Sequence, residues 1–275
     1  MPRDTTRRKL LGGLAATGTA ALAGCTGATP FVGRRIEETE TVDPADATAI
    51  EIVGRVGDLS IVGTDRDTVH LDVEKQTSSL RTDLEAFHLR SETVDDVLAF
   101  SSEYEADLGW FESQPRMNLD VELPAELAVE RLRTSTGRIA VRDVLGDLEA
   151  ESTTGGVRIS NVDGAVAAEA TTGSVRLEDV DGFVRAETTT GGIEARDVEG
   201  VEHLSTTTGS VDAALSTDLD AELVIATNTG GIDVDGLDID EEVSTSDEVR
   251  GTLGEGGPRL RITTTTGSIS VTALE

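Results

Sequence analysis

The chain has 275 residues, of which 53 are Asp or Glu and only 23 are Lys or Arg, so its formal net charge at pH 7 is −30. Such a chain shows no basic footprint for the phosphates of nucleic acid, and nucleic acid is therefore excluded as an expected partner. A single cysteine, Cys25, rules out an intramolecular disulfide framework. The fold must depend on buried apolar side chains and hydrogen bonds.

The first 24 residues predict an export signal. Residues 6–11, which include the pair Arg7 and Arg8, match the twin-arginine pattern of Ser or Thr, two arginines, any residue and two hydrophobic residues. The uncharged stretch over residues 10–24 is shorter than the about 20 apolar residues that a membrane-spanning helix needs. We therefore interpret it as the hydrophobic region of a signal peptide.

The signal ends in a lipobox at residues 22–25, where small residues precede a cysteine whose sulfur takes a lipid. Cleavage before Cys25 would make this cysteine the lipidated N-terminus, followed by a tether over residues 25–35. An uncleaved membrane anchor with a buried structural cysteine is the alternative.

The rest of the chain, residues 36–275, predicts one all-β domain that begins with irregular coils and a cap over residues 36–133. Alternating apolar and polar residues predict seven strands in this part, at 49–53, 58–62, 68–74, 84–91, 97–103, 117–123 and 128–133. Most aromatic residues lie here too, at Phe87, Phe100, Tyr104, Trp110 and Phe111. They favour a cap over the exposed end of a solenoid, and a ligand surface is the alternative.

Regular Thr-Gly repeats occupy residues 134–275, and between residues 137 and 209 glycine recurs at every ninth position. Alternate nonamers differ, so the repeating unit has 18 residues, as in 155–172 and 173–190. Apolar third and fifth places in each half predict a short strand, and the glycines between them predict turns. Coils stacked about 4.8 Å apart would bury both apolar rows in one core. The expected fold is a single-domain β-solenoid with two nonamer half-turns per coil.

The period lengthens after Gly209. Coil walls continue at residues 223–227 and 260–264, and the acidic segment between them, 235–257, is predicted to be an excursion loop. A strand that starts at Ile269 is expected to close the end of the stack.

Acidic residues recur at the seventh and ninth places of successive coils, and they include Asp143, Asp163, Asp179, Asp181 and Asp197. Stacked carboxylates could coordinate Ca²⁺, which takes six to eight oxygen ligands. The repeats nevertheless lack the fourth-place glycine and sixth-place aspartate of nonapeptide calcium-binding coils. We expect no metal and no cofactor, and we interpret the column as turn residues on an acidic edge.

Threonine is frequent at the end of each coil. Strand parity predicts one outward row, Thr153, Thr171, Thr189 and Thr207, while the sixteenth-place residues face the core. One row is too narrow to form a flat binding face.

Three segments together resemble a known family. The sequences Gly-Asp-Leu-Ser-Ile at 57–61 and Leu-Asp-Val-Glu-Leu-Pro at 119–124, followed by Thr-Thr-Gly coils, are similar to the putative-adhesin domain of bacterial and archaeal envelope proteins over about residues 45–275. The resemblance implies a surface β-solenoid, and it supplies no catalytic residues.

No motif of hydrolases, nucleotide-binding enzymes or zinc proteases occurs, and His70, His88 and His203 lie far apart in the sequence, so we expect no enzyme. High acidity with only two lysines is typical of salt-loving archaea, where salt screens the self-repulsion. The sequence predicts a lipid-anchored adhesion, interaction or structural module on the outer face of the cytoplasmic membrane. Its partners would be membrane lipid, through Cys25, and an extracellular protein or polysaccharide. A cation-binding envelope module that uses the acidic column is the alternative.

Overall fold

The computed structural model describes residues 33–106 and 114–274, and every regular element in these two ranges is a β-strand. The export-signal residues Arg7, Arg8 and Cys25, and also Trp110 and Phe111, lie outside the described residues. The described ranges contain no helix long and apolar enough to cross a lipid bilayer.

The strands before the glycine repeats are β1 (Arg34–Val42), β2 (Ala49–Val53), β3 (Leu59–Thr64), β4 (Val69–Thr77), β5 (Phe87–Val94), β6 (Val97–Tyr104), β7 (Arg116–Pro124) and β8 (Ala128–Thr136). The regular repeats form β9 (Ile139–Leu145), β10 (Leu148–Thr154), β11 (Val157–Asp163), β12 (Val166–Thr172), β13 (Val175–Thr190), β14 (Ile193–Thr208) and β15 (Val211–Leu215). The last strands are β16 (Ala221–Thr229), β17 (Ile232–Asp235), β18 (Ile239–Ser244), β19 (Glu248–Leu253), β20 (Arg259–Thr266) and β21 (Ile269–Ala273). Each of the seven strands predicted before residue 134 overlaps an observed strand.

Strand pairing follows two series. The first series runs β1, β4, β7, β3, β9, β11, β13, β14, β15, β21, β17. The second series runs β5, β6, β2, β8, β10, β12, β13, β14, β20, β16, β19, β18. The 16-residue strands β13 and β14 belong to both series because each continues through a corner. The repeats pair in parallel between residues 18 apart, as Val157 does with Val175.

Some strands from the N-terminal and C-terminal parts of the described chain lie inside the stack rather than at its ends. Near the N-terminus, β2 lies between β6 and β8, and β3 lies between β7 and β9. Near the C-terminus, β20 lies between β14 and β16, and β21 lies between β15 and β17. The expectation that the strand starting at Ile269 closes the stack was therefore wrong, because that strand is held on both sides.

The ends of the series are β1, β5, β17 and β18, and each of these strands pairs on one side only within the described residues. The segment predicted as an excursion loop at 235–257 instead forms the antiparallel hairpin of β18 and β19, and β19 pairs antiparallel with β16. The alternation in Val249 and Leu253, which are both buried, explains why this segment is a strand.

The core lies between the two series. Most residues at the third and fifth places of the nonamers are almost completely buried, including Ile159 and Leu177 in the first series and Ala168 and Ala186 in the second, all at 0% exposure. Each large apolar side chain buried in this way contributes about 1.5–3 kcal/mol. The sequence alternates because successive side chains on a strand point to opposite faces.

A column of glycines runs through one corner of the stack in the order Gly57, Gly137, Gly155, Gly173, Gly191, Gly209, Gly267 and Gly230. A Cβ atom on any of the last seven would lie 1.8–2.0 Å from the carbonyl oxygen of the glycine before it in the column. Glycine is therefore required here by close approach of backbones as well as by its positive φ angle.

Buried hydroxyl groups line the inside of this corner. Sixteenth-place Ser152, Thr188 and Thr206 donate hydrogen bonds to the carbonyl oxygens of glycines 15 residues earlier, over 2.9–3.0 Å. The equivalent residue in the remaining repeat is Ala170, which aligns with Ser152 and Thr188 and has no hydroxyl to donate to Gly155. These bonds explain why a polar side chain occupies a position with core parity.

Replacing Ala170 with Ser is expected to raise the free energy of unfolding by about 0.5–1.5 kcal/mol, because it adds the hydrogen bond found in the neighbouring repeats. Urea unfolding at constant salt measures the change. The control is Ala168→Ser, at a fully buried position among apolar side chains, which should be destabilising. Equal destabilisation by both substitutions would contradict the proposed role of the hydroxyl row.

Candidate functional site

A groove with a volume of about 590 Å³ crosses β9, β11, β13 and β14 on the outer face of the first series. Three arginines line it, Arg138, Arg158 and Arg176, together with the acidic residues Glu194 and Asp212 and with Gly156, Ser174 and Gly192, which we call its floor. We call the whole feature, defined by these eight residues, the arginine groove.

The repeat pattern places these side chains on one surface. Val157 and Val175 are buried, so the residues that follow them, Arg158 and Arg176, point outward. Arg158 and Arg176 are directly paired across β11 and β13. The next fourth-place residue, Glu194, pairs with Arg176 on the other side. The groove therefore runs along the stack, across successive strands.

The three arginines differ in their partners. The Nε atom of Arg176 lies 2.6 Å from Oε2 of Glu194, whose other oxygen lies 3.0 Å from Nη2 of Arg196. Arg138 and Arg158 are exposed, and neither side chain forms an ion pair with a described residue. Two guanidinium groups are thus available in a chain that has more than twice as many acidic as basic residues.

On the outer face of the second series, several arginines form ion pairs with glutamates. Arg131 contacts Glu149 at 2.9 Å, Arg185 contacts Glu187 at 2.6 Å, and Arg133 pairs with Glu151. The hydrogen bond that Arg131 donates to Glu149 raises the pKa of Arg131. Burial lowers the pKa of His203 on the same face, although Glu187 opposes that shift.

The acidic column has a backbone explanation. The seventh-place residues Asp143, Asn161, Asp179 and Asp197 all adopt positive φ angles, between 49° and 59°. Asp and Asn are the non-glycine residues that tolerate this left-handed conformation best. Asn161 donates a 2.6 Å hydrogen bond from Nδ2 to Oδ1 of Asp143, which links two neighbouring repeats.

The ninth-place residues Asp163 and Asp181 are exposed. Within residues 33–106 and 114–274, no group of three or more His, Cys, Asp or Glu side chains is arranged to hold a metal ion. The backbone conformation accounts for Asp at the seventh place without a bound cation.

Threonine forms two exposed rows where strand parity predicted one. The seventeenth-place row is Thr153, Thr171, Thr189 and Thr207, and the eighteenth-place row beside it is Thr154, Thr172, Thr190 and Thr208, all exposed. The parity argument failed at the eighteenth place because this residue is the last of its strand, directly before the glycine corner, where alternation ends.

The aromatic residues in the described part of the predicted cap, within residues 36–133, are mostly interior. Phe87 and Phe100 are buried in the core, and Phe87 packs edge to face on Tyr104 with ring centroids 5.8 Å apart. These rings fill space within the fold, so the observed contacts do not form an open aromatic surface.

Sequence reasoning missed the arginine groove because the net charge averages over the whole chain. The signal was present in the fourth places of two adjacent repeats, occupied by Arg158 and Arg176. Parallel pairing between residues 18 apart brings these two side chains together.

Comparison with known proteins adds a family match. Residues 116–272, which include the arginine groove, match the family model described as Toastrack DUF4097. No curated protein matches the sequence significantly.

Several solved structures are similar over most of their length. A putative adhesin from Bacteroides fragilis gives a TM-score of 0.48 at 13% identity, covering 88% of this chain and 97% of that one. A putative cell adhesion protein from Clostridium sporogenes gives a TM-score of 0.42 at 12% identity, covering 88% of this chain and 100% of that one. A putative lipid binding protein from Parabacteroides distasonis gives a TM-score of 0.30 at 12% identity, covering 87% of this chain and 97% of that one.

Proposed function

Because this chain belongs to the Toastrack DUF4097 family, with its all-β fold, we propose that it is a non-enzymatic interaction module, held at the cell surface by a lipid on Cys25. The arginine groove is its contact surface. The observation that carries this proposal is the presence of two exposed arginines without ion-pair partners, Arg138 and Arg158, in one groove of an otherwise strongly acidic chain.

The module is a β-solenoid of 18-residue coils, each made of two nonamer half-turns. Parallel pairing of residues 18 apart in both series supports this description, as in Val157 with Val175 and Val166 with Val184. The glycine column supports it as well, since one glycine from each layer stacks on the next. A regular stack holds outward side chains at fixed spacing, which suits a rigid binding face.

A binding role fits the described residues better than catalysis does. His70 lies 3.3 Å from the hydroxyl of Thr41 and His203 lies 3.9 Å from Glu187, and these two histidines are on different strand series. Neither histidine lines the arginine groove. Nucleophilic or acid-base catalysis needs such groups within hydrogen-bond reach of one another in a pocket.

Surface display rests on the sequence of the first 25 residues. The twin-arginine pair Arg7 and Arg8 and the lipobox at 22–25 occur in the order and spacing of an exported lipoprotein. Arg34, where β1 begins, is the ninth residue after Cys25, and the chain from one to the other spans at most about 30 Å. A lipid on Cys25 would therefore hold the β1 end of the stack close to the membrane, at the outer face of the cytoplasmic membrane of a salt-loving archaeon.

Substituting Cys25 with Ser is expected to abolish both the lipid-sized mass increase and partitioning into detergent, because the serine oxygen cannot take the lipid. Intact mass and phase partitioning of the protein from a halophilic host measure the two effects. The matched control is Arg7→Lys with Arg8→Lys, which should leave Cys25 intact but keep the chain unprocessed inside the cell. An unmodified wild-type chain that starts at Met1 and stays soluble would contradict the anchoring proposal.

A further inference from the structure

The geometry points to an extended polyanionic polysaccharide, bearing carboxylate or sulfate groups, as the ligand of the arginine groove. This inference rests on the proposed function, because it identifies the class of partner for the same surface. Three properties of the groove carry it: its unpaired positive charge, its direction along the stack, and the composition of its floor.

The charge arrangement calls for an anion. Arg158 and Arg176 are directly opposite each other on paired strands, and like charges in such a position destabilise a sheet. Arg176 is partly neutralised by Glu194, but the guanidinium groups of Arg138 and Arg158 have no carboxylate partner among the described residues. In the second series, by contrast, Arg131 and Arg133 each form an ion pair with a glutamate on the neighbouring strand. An anionic ligand would supply the missing partner here.

The direction of the groove indicates a polymer. Its arginines come from successive parallel strands, which lie about 4.8 Å apart along the stack. A ligand that meets all three must extend across several strands and present anionic groups at repeated intervals. A single small ion could contact only part of this row.

The floor favours sugar over peptide. Gly156, Ser174 and Gly192 leave the backbone accessible and provide a hydroxyl. The apolar lining residues Val157, Val175 and Ile193 are buried in the core, so they offer little open apolar surface to a peptide side chain. Strands β11 and β13 are already paired on both sides, so a peptide could not add as a new strand. Guanidinium groups donate in several directions and can bind hydroxyls as well as bidentate carboxylates or sulfates.

The test is binding of the full chain to polymers that differ in one property at a time: alginate and dextran sulfate as anionic polysaccharides, neutral dextran, poly-glutamate and single-stranded DNA. Titration calorimetry is performed at the lowest salt that keeps the native circular dichroism spectrum and again at higher salt. Binding to the anionic polysaccharides should weaken as salt rises, because screening shortens the reach of the arginine charges.

The test variant is Arg138→Gln with Arg158→Gln, and the matched control is Arg131→Gln with Arg133→Gln on the second series. Both pairs remove two positive charges from exposed positions. The groove variant is expected to lose at least about tenfold in affinity for the anionic polysaccharides, and the control is expected to bind like the wild type.

Several results would overturn the inference. Equal losses in both variants would show a response to net charge rather than to the groove. Tighter binding of poly-glutamate or DNA than of either polysaccharide would assign a different class of partner. No binding to any polymer by a chain that is still lipidated on Cys25 would remove this ligand but leave the proposed surface display intact.

Discussion

Replacing Gly191 with Ala is expected to lower the free energy of unfolding by at least about 3 kcal/mol. The added Cβ would lie 2.0 Å from the carbonyl oxygen of Gly173, in the neighbouring layer. That atom belongs to the backbone of a paired strand region and cannot move away without separating the layers. The φ angle of Gly191, 151°, adds conformational strain for any residue with a side chain.

Gly231→Ala provides the control, because a Cβ at Gly231 would have no atom within 4 Å. Both variants replace a glycine with alanine, but Gly231 is next to the column glycine Gly230 and is not itself in the column. Urea unfolding of both proteins at one salt concentration gives the comparison. If Gly191→Ala unfolded at the same urea concentration as Gly231→Ala, the close approach of backbones in the glycine column would be refuted.

Removing residues 258–275 is expected to abolish cooperative unfolding. The deletion takes out β20 and β21, and with them the fully or almost fully buried side chains of Leu260, Ile262, Ile269 and Val271. At about 1.5–3 kcal/mol for each side chain, this loss of about 6–12 kcal/mol is comparable to the typical total stability of a domain, about 5–15 kcal/mol. The neighbouring strands on both sides would also lose their backbone partners.

A protease site inserted after Gly256 separates loss of these strands from loss of the chain connection. After cleavage, β20 and β21 should remain bound between β14, β15, β16 and β17, so the two fragments should co-elute in size exclusion with an unchanged circular dichroism spectrum. A truncated chain that melts cooperatively at the Tm of the full protein would show that these strands are peripheral.

The all-β class could be predicted because its signals are local. Alternation of buried and exposed residues, as at Val157 to Ile159, is visible within a few residues, and so are the glycines that end each strand. The order of strands in the stack could not be predicted in this way. Leu260 and Ile262 show the same alternation as the other strands of the stack. Since the edge of every coil offers similar backbone groups, the alternation does not indicate which strand β20 pairs with.

The site was harder to predict than the fold for a related reason. The acidic column suggested a cation site because its five Asp residues recur at the seventh and ninth places of the repeats. The seventh-place residues, such as Asp143 and Asp179, are explained instead by a left-handed backbone conformation. The binding role that we propose for Arg158 depends on its lack of a carboxylate partner, which only the spatial pairing of strands can show. Net charge, summed over 275 residues, hides such a local exception.

The four strands at the ends of the two series determine how the stack stops growing. A layered structure whose units are nearly equivalent could in principle continue into a second molecule, since each open strand edge offers backbone groups to another chain. Here β17 carries Asp233 and Asp235, and β18 carries Asp240 and Glu242. At low salt, where screening is weak, two such edges repel each other, so their carboxylates oppose the edge pairing that would be the first step of fibre formation.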